Sequence, residues 1–452
     1  MESHNLMALS LHIRNICVST SKTSFAAVRQ LTALDAQHRS LLGEHLFLQA
    51  DASITRGRIG DAETLMSLAL PLIRETRTDL FQCSSALFST VLLLQNKRRA
   101  ALQWHNRASS AMEEIEKTSV YYSHKVLHAA IRHAVVECDF HAALSCLSRA
   151  LTPFLIREDC SPLKYVIWSF SAWLYFLLGR ANKMDELLHS LRPKDKDNVL
   201  MCVWYLEFKA VSCIMRGLYN KTRKALVALK ATQRGLMGTV YHSALSGILA
   251  ACKKDHLSMD ADTRDECINT VIFATQKLAC CQAVKAVPIA VVTLFLSAHC
   301  AVSILGQLHR VVGLRRGGGV RHRLTQCVES ALLCLGRVAV VIPFVSLLVE
   351  ALQMKQDVLS HNDSGKKPSI APTATGLSGA TAKMERFKDF GFGLAFWYAE
   401  RSQHCTYFNN GKSGYAREAS YCRSRSRELF QSYGLPAAHF LLGALCDNNM
   451  SP

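Results

Sequence analysis

The small and apolar residues of this chain recur in one pattern about every forty residues. Each copy has a small or polar turn residue followed by small or apolar positions that lie seven residues apart. The turn residues stand at positions 57, 96, 138, 179 and 217, so successive turns are 39, 42, 41 and 38 residues apart. An internal repeat of this length predicts a solenoid of stacked units. The five copies are Gly57-Arg58-Ile59 with Ala62 and Ala69, Asn96-Lys97-Arg98 with Ala101 and Ala108, Cys138-Asp139-Phe140 with Ala143 and Ala150, Gly179-Arg180-Ala181 with Met184 and Leu191, and Gly217-Leu218-Tyr219 with Thr222 and Leu229.

The apolar spacing predicts helices throughout. Five helix pairs are expected between residues 40 and 230, and the first comprises Leu41–Arg56 and Asp61–Thr76. No long stretch alternates apolar and polar residues with a period of two, so a sheet is not expected. The predicted fold class is all-α, a right-handed solenoid of antiparallel helix pairs with a period of about forty residues. Further helices are predicted at Val240–Lys253, Thr263–Ala279, Val287–His309, Gln326–Val341 and Phe344–Leu359, with a break at Pro343.

Composition shifts divide the chain into four predicted segments. Residues 1–26 are weakly patterned, and residues 27–359 form the helical array, with a basic Gly/Arg loop at 310–323. Residues 360–382 are rich in Ser, Gly, Pro, Thr and Ala and predict a flexible linker. Residues 383–452 predict further repeat-like helices.

One predicted helix carries a more specific motif. Its residues Trp168, Ala172, Tyr175 and Gly179 are spaced Trp-x3-Ala-x2-Tyr-x3-Gly. This spacing resembles the first helix of a tetratricopeptide repeat, and the alanine pairs seven apart resemble the small positions of the second helix. The period here is nearer 40 than 34 and no repeat ends in the usual proline, so armadillo-like helix pairs remain an alternative. The resemblance implies a concave groove that binds a partner peptide or a neighbouring domain.

A second resemblance lies near the C-terminal end. The residues are Gly414-Tyr415-Ala416-Arg417-Glu418-Ala419, followed by Tyr421, Arg425, Leu429, Phe430 and Gly434. They resemble the helical tail of soluble multidomain adenylyl cyclases and related regulatory ATPases. The resemblance implies a regulatory segment, or a stand-alone relative of one, because the catalytic half of such proteins has no counterpart here.

Charge suggests one candidate contact surface. The formal net charge is +18, from 53 basic and 35 acidic residues, which bears on association rather than on fold. Five arginines within fourteen residues could contact an acidic or phosphate-bearing partner. No aromatic residue is interleaved with them, which argues against nucleic acid. They are Arg310, Arg315, Arg316, Arg321 and Arg323.

Cysteine use and one apolar segment bear on location. The 17 cysteines form no Cys-x-x-Cys motif, and Met1–Ser19 lacks the continuous apolar core of a signal peptide. A reducing compartment and a cytoplasmic location are therefore expected. Ala286–Leu308 contains no Asp, Glu, Lys or Arg. It predicts either a buried repeat helix or, in the alternative reading, a membrane span.

Motifs for catalysis are incomplete. Gly411-Lys412-Ser413 resembles the end of a phosphate loop, but Thr406 stands where its first glycine is required. His124, His128 and His133 share one predicted helix without further metal ligands. No catalytic residue, metal or cofactor is predicted. The predicted function is a non-catalytic scaffold or regulatory segment that binds a partner protein, with the cyclase-type tail and the membrane-associated protein as alternatives.

Overall fold

The computed structural model describes most of the chain as helices. In the described ranges every regular element is an α-helix, which confirms the all-α prediction. These ranges are residues 36–55, 58–73, 78–110, 120–157, 171–190, 199–232, 236–252, 261–280, 288–310, 318–364, 384–408 and 413–432. The helices are α1 Ala36–Thr55, α2 Ile59–Ile73, α3 Thr78–Leu94, α4 Arg98–Ser109, α5 Val120–Val136, α6 Phe140–Arg157, α7 Ala181–Ser190, α8 Val199–Met215, α9 Tyr219–Thr232, α10 Leu236–Cys252, α11 Ala261–Ala279, α12 Pro288–Arg310, α13 Gly318–Val341, α14 Val345–Ser364, α15 Gly391–Tyr407 and α16 Ser413–Ser432. Residues 171–177 are also helical.

Contacts divide the chain into two compact units. The first is Met1–Ile167 with Gln282–Val287, and its described helices are α1 to α6. The second is Trp168–Cys281 with Pro288–Pro452, which holds residues 171–177 and α7 to α16. The predicted array of 27–359 therefore spans helices of both units.

The predicted turns are built alike. Asn96, Cys138, Gly179 and Gly217 have φ angles of 63°, 65°, 71° and 69°, the left-handed conformation that ends many helices. The amide of the next residue donates to a carbonyl five residues earlier in every case. These hydrogen bonds, from Lys97 to Leu92, Asp139 to Ala134, Arg180 to Tyr175 and Leu218 to Cys213, are 2.8–2.9 Å long. Arg58 makes the same bond to Ser53 at 2.8 Å, while Gly57 lies outside the described residues.

The small positions after each turn are buried. A small side chain lets the second helix of a pair approach the first closely, which is the role expected of these positions. Leu191 and Trp168 lie outside the residues whose side chains are described, whereas Ala172 is fully buried. The buried members are Ala62, Ala69, Ala101, Ala108, Ala143, Ala150, Met184, Thr222 and Leu229, all at most 1 % exposed.

Consecutive helix pairs pack on one another within each unit. In the first unit α3 contacts α1 and α2, and α5 contacts α3 and α4. In the second unit α10 contacts α8 and α9, and α12 contacts α10 and α11. This neighbour-to-neighbour packing is what a stack of helix hairpins requires. The right-handed superhelical course and the tetratricopeptide-like geometry stay predictions.

Two predicted boundaries are wrong. The loop 310–323 is shorter, because α13 begins at Gly318 and the helical spacing of buried residues already includes Leu324, Cys327 and Val328. Residues 360–364 of the predicted linker belong to α14, which continues to Ser364, and residues 365–382 lie outside the described residues. The break at Pro343 is confirmed, since α13 ends at Val341 and α14 begins at Val345.

Candidate functional site

Helix α15 lies in the interior of the second unit. Thirteen of its 17 residues are buried, on all sides of the helix, and it packs against α14 and α16. The ring centroid of Phe392 lies 4.9 Å from that of Phe176, in the helical residues 171–177, and 6.2 Å from that of Phe295 in α12. A helix that is apolar on every side is a core helix. Here it joins parts of the unit far apart in sequence.

Contacts fix the direction of α15. Three contacts connect it with α14 and the residue before that helix: Phe390 with Phe344, Trp397 with Glu350, and Glu400 with Lys355. Residue numbers rise together on the two helices, so α15 runs parallel to α14. Consecutive helices of a hairpin are antiparallel, so α14 and α15 do not form a hairpin.

Three ionisable side chains meet at the centre of this packing. His299 in α12, Lys355 in α14 and Glu400 in α15 are at most 2 % exposed. The His299 Nε2 atom lies 2.8 Å from Glu400 Oε1 and 2.8 Å from Lys355 Nζ. The Lys355 ammonium donates to Glu400 Oε1 at 3.3 Å. The rings of Phe295 and Phe396 pack against the imidazole at centroid distances of 5.8 and 5.5 Å.

Electrostatics assigns the charges of this triad. Burial lowers the pKa of His299 to about 4, and the neighbouring Lys355 ammonium adds to the effect. Burial raises the pKa of Glu400, but Lys355 and His299 outweigh it, so the net pKa lies below its usual value. At neutral pH the triad therefore holds a carboxylate at Glu400 and a neutral imidazole at His299.

The triad joins three helices. It connects α12, α14 and α15 through side chains enclosed by apolar rings. Glu400 Oε2 is buried without a hydrogen-bond partner, and such an atom is costly to bury. The described cavity of about 510 Å³ lies elsewhere, lined by residues of α10 and α11. It opens beside Asp265, Glu266 and Phe273 and contacts none of the triad residues.

The predicted arginine surface is only partly described. Arg321 lies in the first turns of α13, where its guanidinium donates to the Leu308 carbonyl at 2.8 Å. This hydrogen bond gives a partner to one of the carbonyl groups at the C-terminal end of α12. Arg323 is exposed on α13. Arg310 ends α12, and its side chain lies outside the described residues, as do Arg315 and Arg316. An anionic contact by these residues stays a prediction.

Two of the three histidines considered for metal binding, His124 and His133, have separate environments. His124 Nε2 lies 2.7 Å from the Ala150 carbonyl. His133 Nε2 lies 2.5 Å from Ser89 Oγ, and its ring stacks on that of His105 at 4.4 Å. Burial, aided by His105, lowers the pKa of His133 to about 4. Among the described residues no cluster of three or more potential metal ligands occurs.

The apolar segment 286–308 corresponds to a buried helix. In α12 the residues 290–302 are all buried, and the helix packs against α10, α11, α13 and α14. Among the residues whose side chains are described, its apolar part is Ala290–Gly306. In the described part of the chain one stretch, Gly319–Val341, is long and apolar enough to cross a membrane. Core helices meet the same criterion.

Sequence reasoning missed the triad. Its members lie 45 to 101 residues apart, each on a different helix. The available signal was an ionisable residue within an apolar run, as with His299 between Ala298 and Cys300 in α12. Such a signal indicates one buried polar residue but does not indicate which residues it contacts.

Comparison with protein-family models and with curated proteins gives no match.

Proposed function

We propose that this chain is a non-catalytic helical-repeat scaffold that binds a partner protein. The observation that carries the proposal is the series of turns with one hydrogen-bond pattern, each followed by buried small residues. Helix hairpins built alike stack on their neighbours and leave extended surfaces rather than one enclosed pocket. Proteins that bind other proteins commonly use such surfaces.

The buried triad supports this proposal. Contacts among its three side chains connect α12, α14 and α15. A buried ionic group retained in a helical core serves specificity of packing in several systems. We assign His299, Lys355 and Glu400 to the framework that presents the surface.

The test is affinity capture of the intact chain from a nuclease-treated lysate of its own cells. We expect one protein at close to one copy per chain. The purified partner and chain should then form the complex without other components. Failure to reconstitute any captured protein, or turnover of a substrate by the chain alone, would contradict the scaffold.

The cyclase-type tail is the second candidate. Helices α15 and α16 pack as a pair, and the motif residues Ala419 and Phe430 are buried between them. The Phe430 ring lies 5.5 Å from that of Phe396. Recovery of a nucleotide cyclase or a regulatory ATPase as the stoichiometric partner would favour this reading over a general scaffold.

A further inference from the structure

Helix α13 has one buried side and one exposed side. It packs against α11, α12 and α14. The opposite side of the helix is open, and its side chains are exposed at intervals of three or four residues. The residues of the buried side are Leu324, Cys327, Val328, Ala331, Leu335 and Val338, each at most 1 % exposed.

Two large apolar side chains lie on the exposed side. Leu333 is 60 % exposed and Val340 is 58 % exposed. They stand seven residues apart in the sequence. Seven residues make almost two helical turns, so the two side chains are only about 20° apart around the helix and about 10 Å apart along it. They therefore form one exposed apolar stripe.

Two opposite charges flank this stripe. Glu329 stands four residues before Leu333, and Arg337 stands four residues after it. Both are exposed, and neither has an ion pair among the residues that the structure describes. Each lies about 40° from Leu333 around the helix, on opposite sides of it. Glu329, Leu333, Arg337 and Val340 thus share an arc of about 80° and form one surface, the α13 face.

The α13 face is complementary to itself. A two-fold axis beside Leu333 generates an antiparallel pair of α13 helices with the two Leu333 side chains in contact. Glu329 of each copy then lies level with Arg337 of the other, because both stand four residues from the axis. Val340 of each copy lies level with the alkyl part of Gln326. Each copy thereby covers the apolar stripe of the other and supplies the charge that the other lacks.

Other occupants match this face less well. Helix α13 is long and apolar enough to cross a membrane, but Glu329 and Arg337 would then face hydrocarbon, which is costly for charged side chains. An unrelated protein would need the opposite charges at the same spacing. A second copy of this chain has them by symmetry.

We propose that two copies of this chain associate through the α13 face as an antiparallel, two-fold helix pair. A contact made by one helix of each copy belongs to the smaller interfaces, below about 1,200 Å², and we expect a dissociation constant in the micromolar range. Well below that concentration the chain is a monomer, and folding stabilities measured there do not include the contact. The contact is additional to the scaffold and independent of it, because it is measured with the purified chain alone.

The first test reverses the charges. Sedimentation velocity over a concentration series should show a monomer–dimer equilibrium for the intact chain. E329R and R337E each replace two attractive pairs by two repulsive ones of similar strength, so each should weaken association about thirtyfold. A mixture of the two variants should form a heterodimer, because each copy then has the charges opposite to those of the other. The double variant E329R/R337E should associate like the unchanged chain.

The second test addresses the apolar stripe. Leu333→Asp puts two carboxylates in contact at the two-fold axis and should abolish the dimer. Val227→Asp is the matched control, because Val227 is 66 % exposed on α9 and lies outside the α13 face. It should leave association unchanged. Circular dichroism checks that both variants keep their helix content.

Three results would overturn the proposal. The first is a chain that stays monomeric up to about 100 µM, a concentration at which micromolar association is complete enough to detect. The second is a mixture of E329R and R337E that associates no better than either variant alone. The third is binding of the unchanged chain to phosphatidylcholine vesicles that Leu333→Asp abolishes, since that would assign the face to a membrane.

Discussion

At the scale of single residues, the buried triad makes Lys355 the most sensitive position in the second unit. Lys355→Met leaves the Glu400 carboxylate buried without its ammonium partner. Loss of one member of a buried pair costs about 3–5 kcal/mol in the free energy of unfolding. Hydrogen exchange should report the loss in α12, α14 and α15 together.

Two further variants check that interpretation. Adding Glu400→Gln to the Lys355 variant removes the uncompensated charge and should restore part of the lost stability. Lys388→Met, at an exposed position paired with Glu385 at 3.1 Å, should change the free energy of unfolding by less than about 1 kcal/mol. Equal effects at Lys355 and Lys388 would mean that the triad is not enclosed.

Glu207 predicts a pH dependence of stability. This side chain in α8 is 3 % exposed, and burial raises its pKa to about 8. The carboxyl is neutral in the folded state. The protein therefore has its full free energy of unfolding below the ordinary pKa of a glutamate, and it loses part of that free energy as the pH rises towards 8. Glu207→Gln stays neutral and should raise the free energy of unfolding by roughly 3 kcal/mol at pH 7.

Urea unfolding between pH 4.5 and 8 measures the effect. The unchanged protein should lose stability with rising pH relative to the Glu207 variant, and the two curves should converge near pH 4.5. Glu329→Gln, at an exposed position on α13, is the control and should follow the unchanged protein. Parallel curves for the unchanged protein and the Glu207 variant would contradict a buried neutral carboxyl.

At the scale of elements, the repeated turn predicts opposite effects at two positions. Cys138 has a φ of 65° and Gly217 a φ of 69°. A side chain in this conformation costs about 1–2 kcal/mol. Cys138→Gly should therefore stabilise the protein by about 1 kcal/mol, and Gly217→Ala should destabilise it by a similar amount.

Gly336 provides the matched control for these glycine changes. It lies inside α13, and a Cβ atom added there meets nothing within 4 Å. Gly336→Ala should raise the midpoint of thermal unfolding because alanine favours the helix by about 1 kcal/mol. A stabilising Gly217→Ala would show that the turn does not need the left-handed conformation.

The same elements show what a sequence can and cannot predict. The positions of the turns at Asn96, Cys138, Gly179 and Gly217 were predicted, because a turn and the small residues after it are local in sequence. The parallel course of α15 beside α14 was not, because it depends on contacts between residues that are far apart in sequence. The contact of Lys355 with Glu400 was not predicted either, since the residues around each one in the sequence do not indicate its partner.

At the scale of the whole molecule, the two units contain similar helix hairpins but bury different sets of polar side chains. The first unit buries His133 beside Ser89, and the second buries the triad. Both sets join helices from different hairpins, which resists slippage of one hairpin on the next. A protein of this construction is suited to present stable surfaces, and the proposed scaffold function follows from that property.

The most direct measurement is quantitative affinity capture of the intact chain after nuclease treatment, followed by reconstitution with the purified partner. Nuclease treatment removes proteins that are bridged by nucleic acid, so only direct protein contacts are counted. The scaffold account predicts one protein at about one copy per chain, bound again when only the two purified proteins are mixed. Absence of any such protein, or turnover of a substrate by the chain alone, would contradict it.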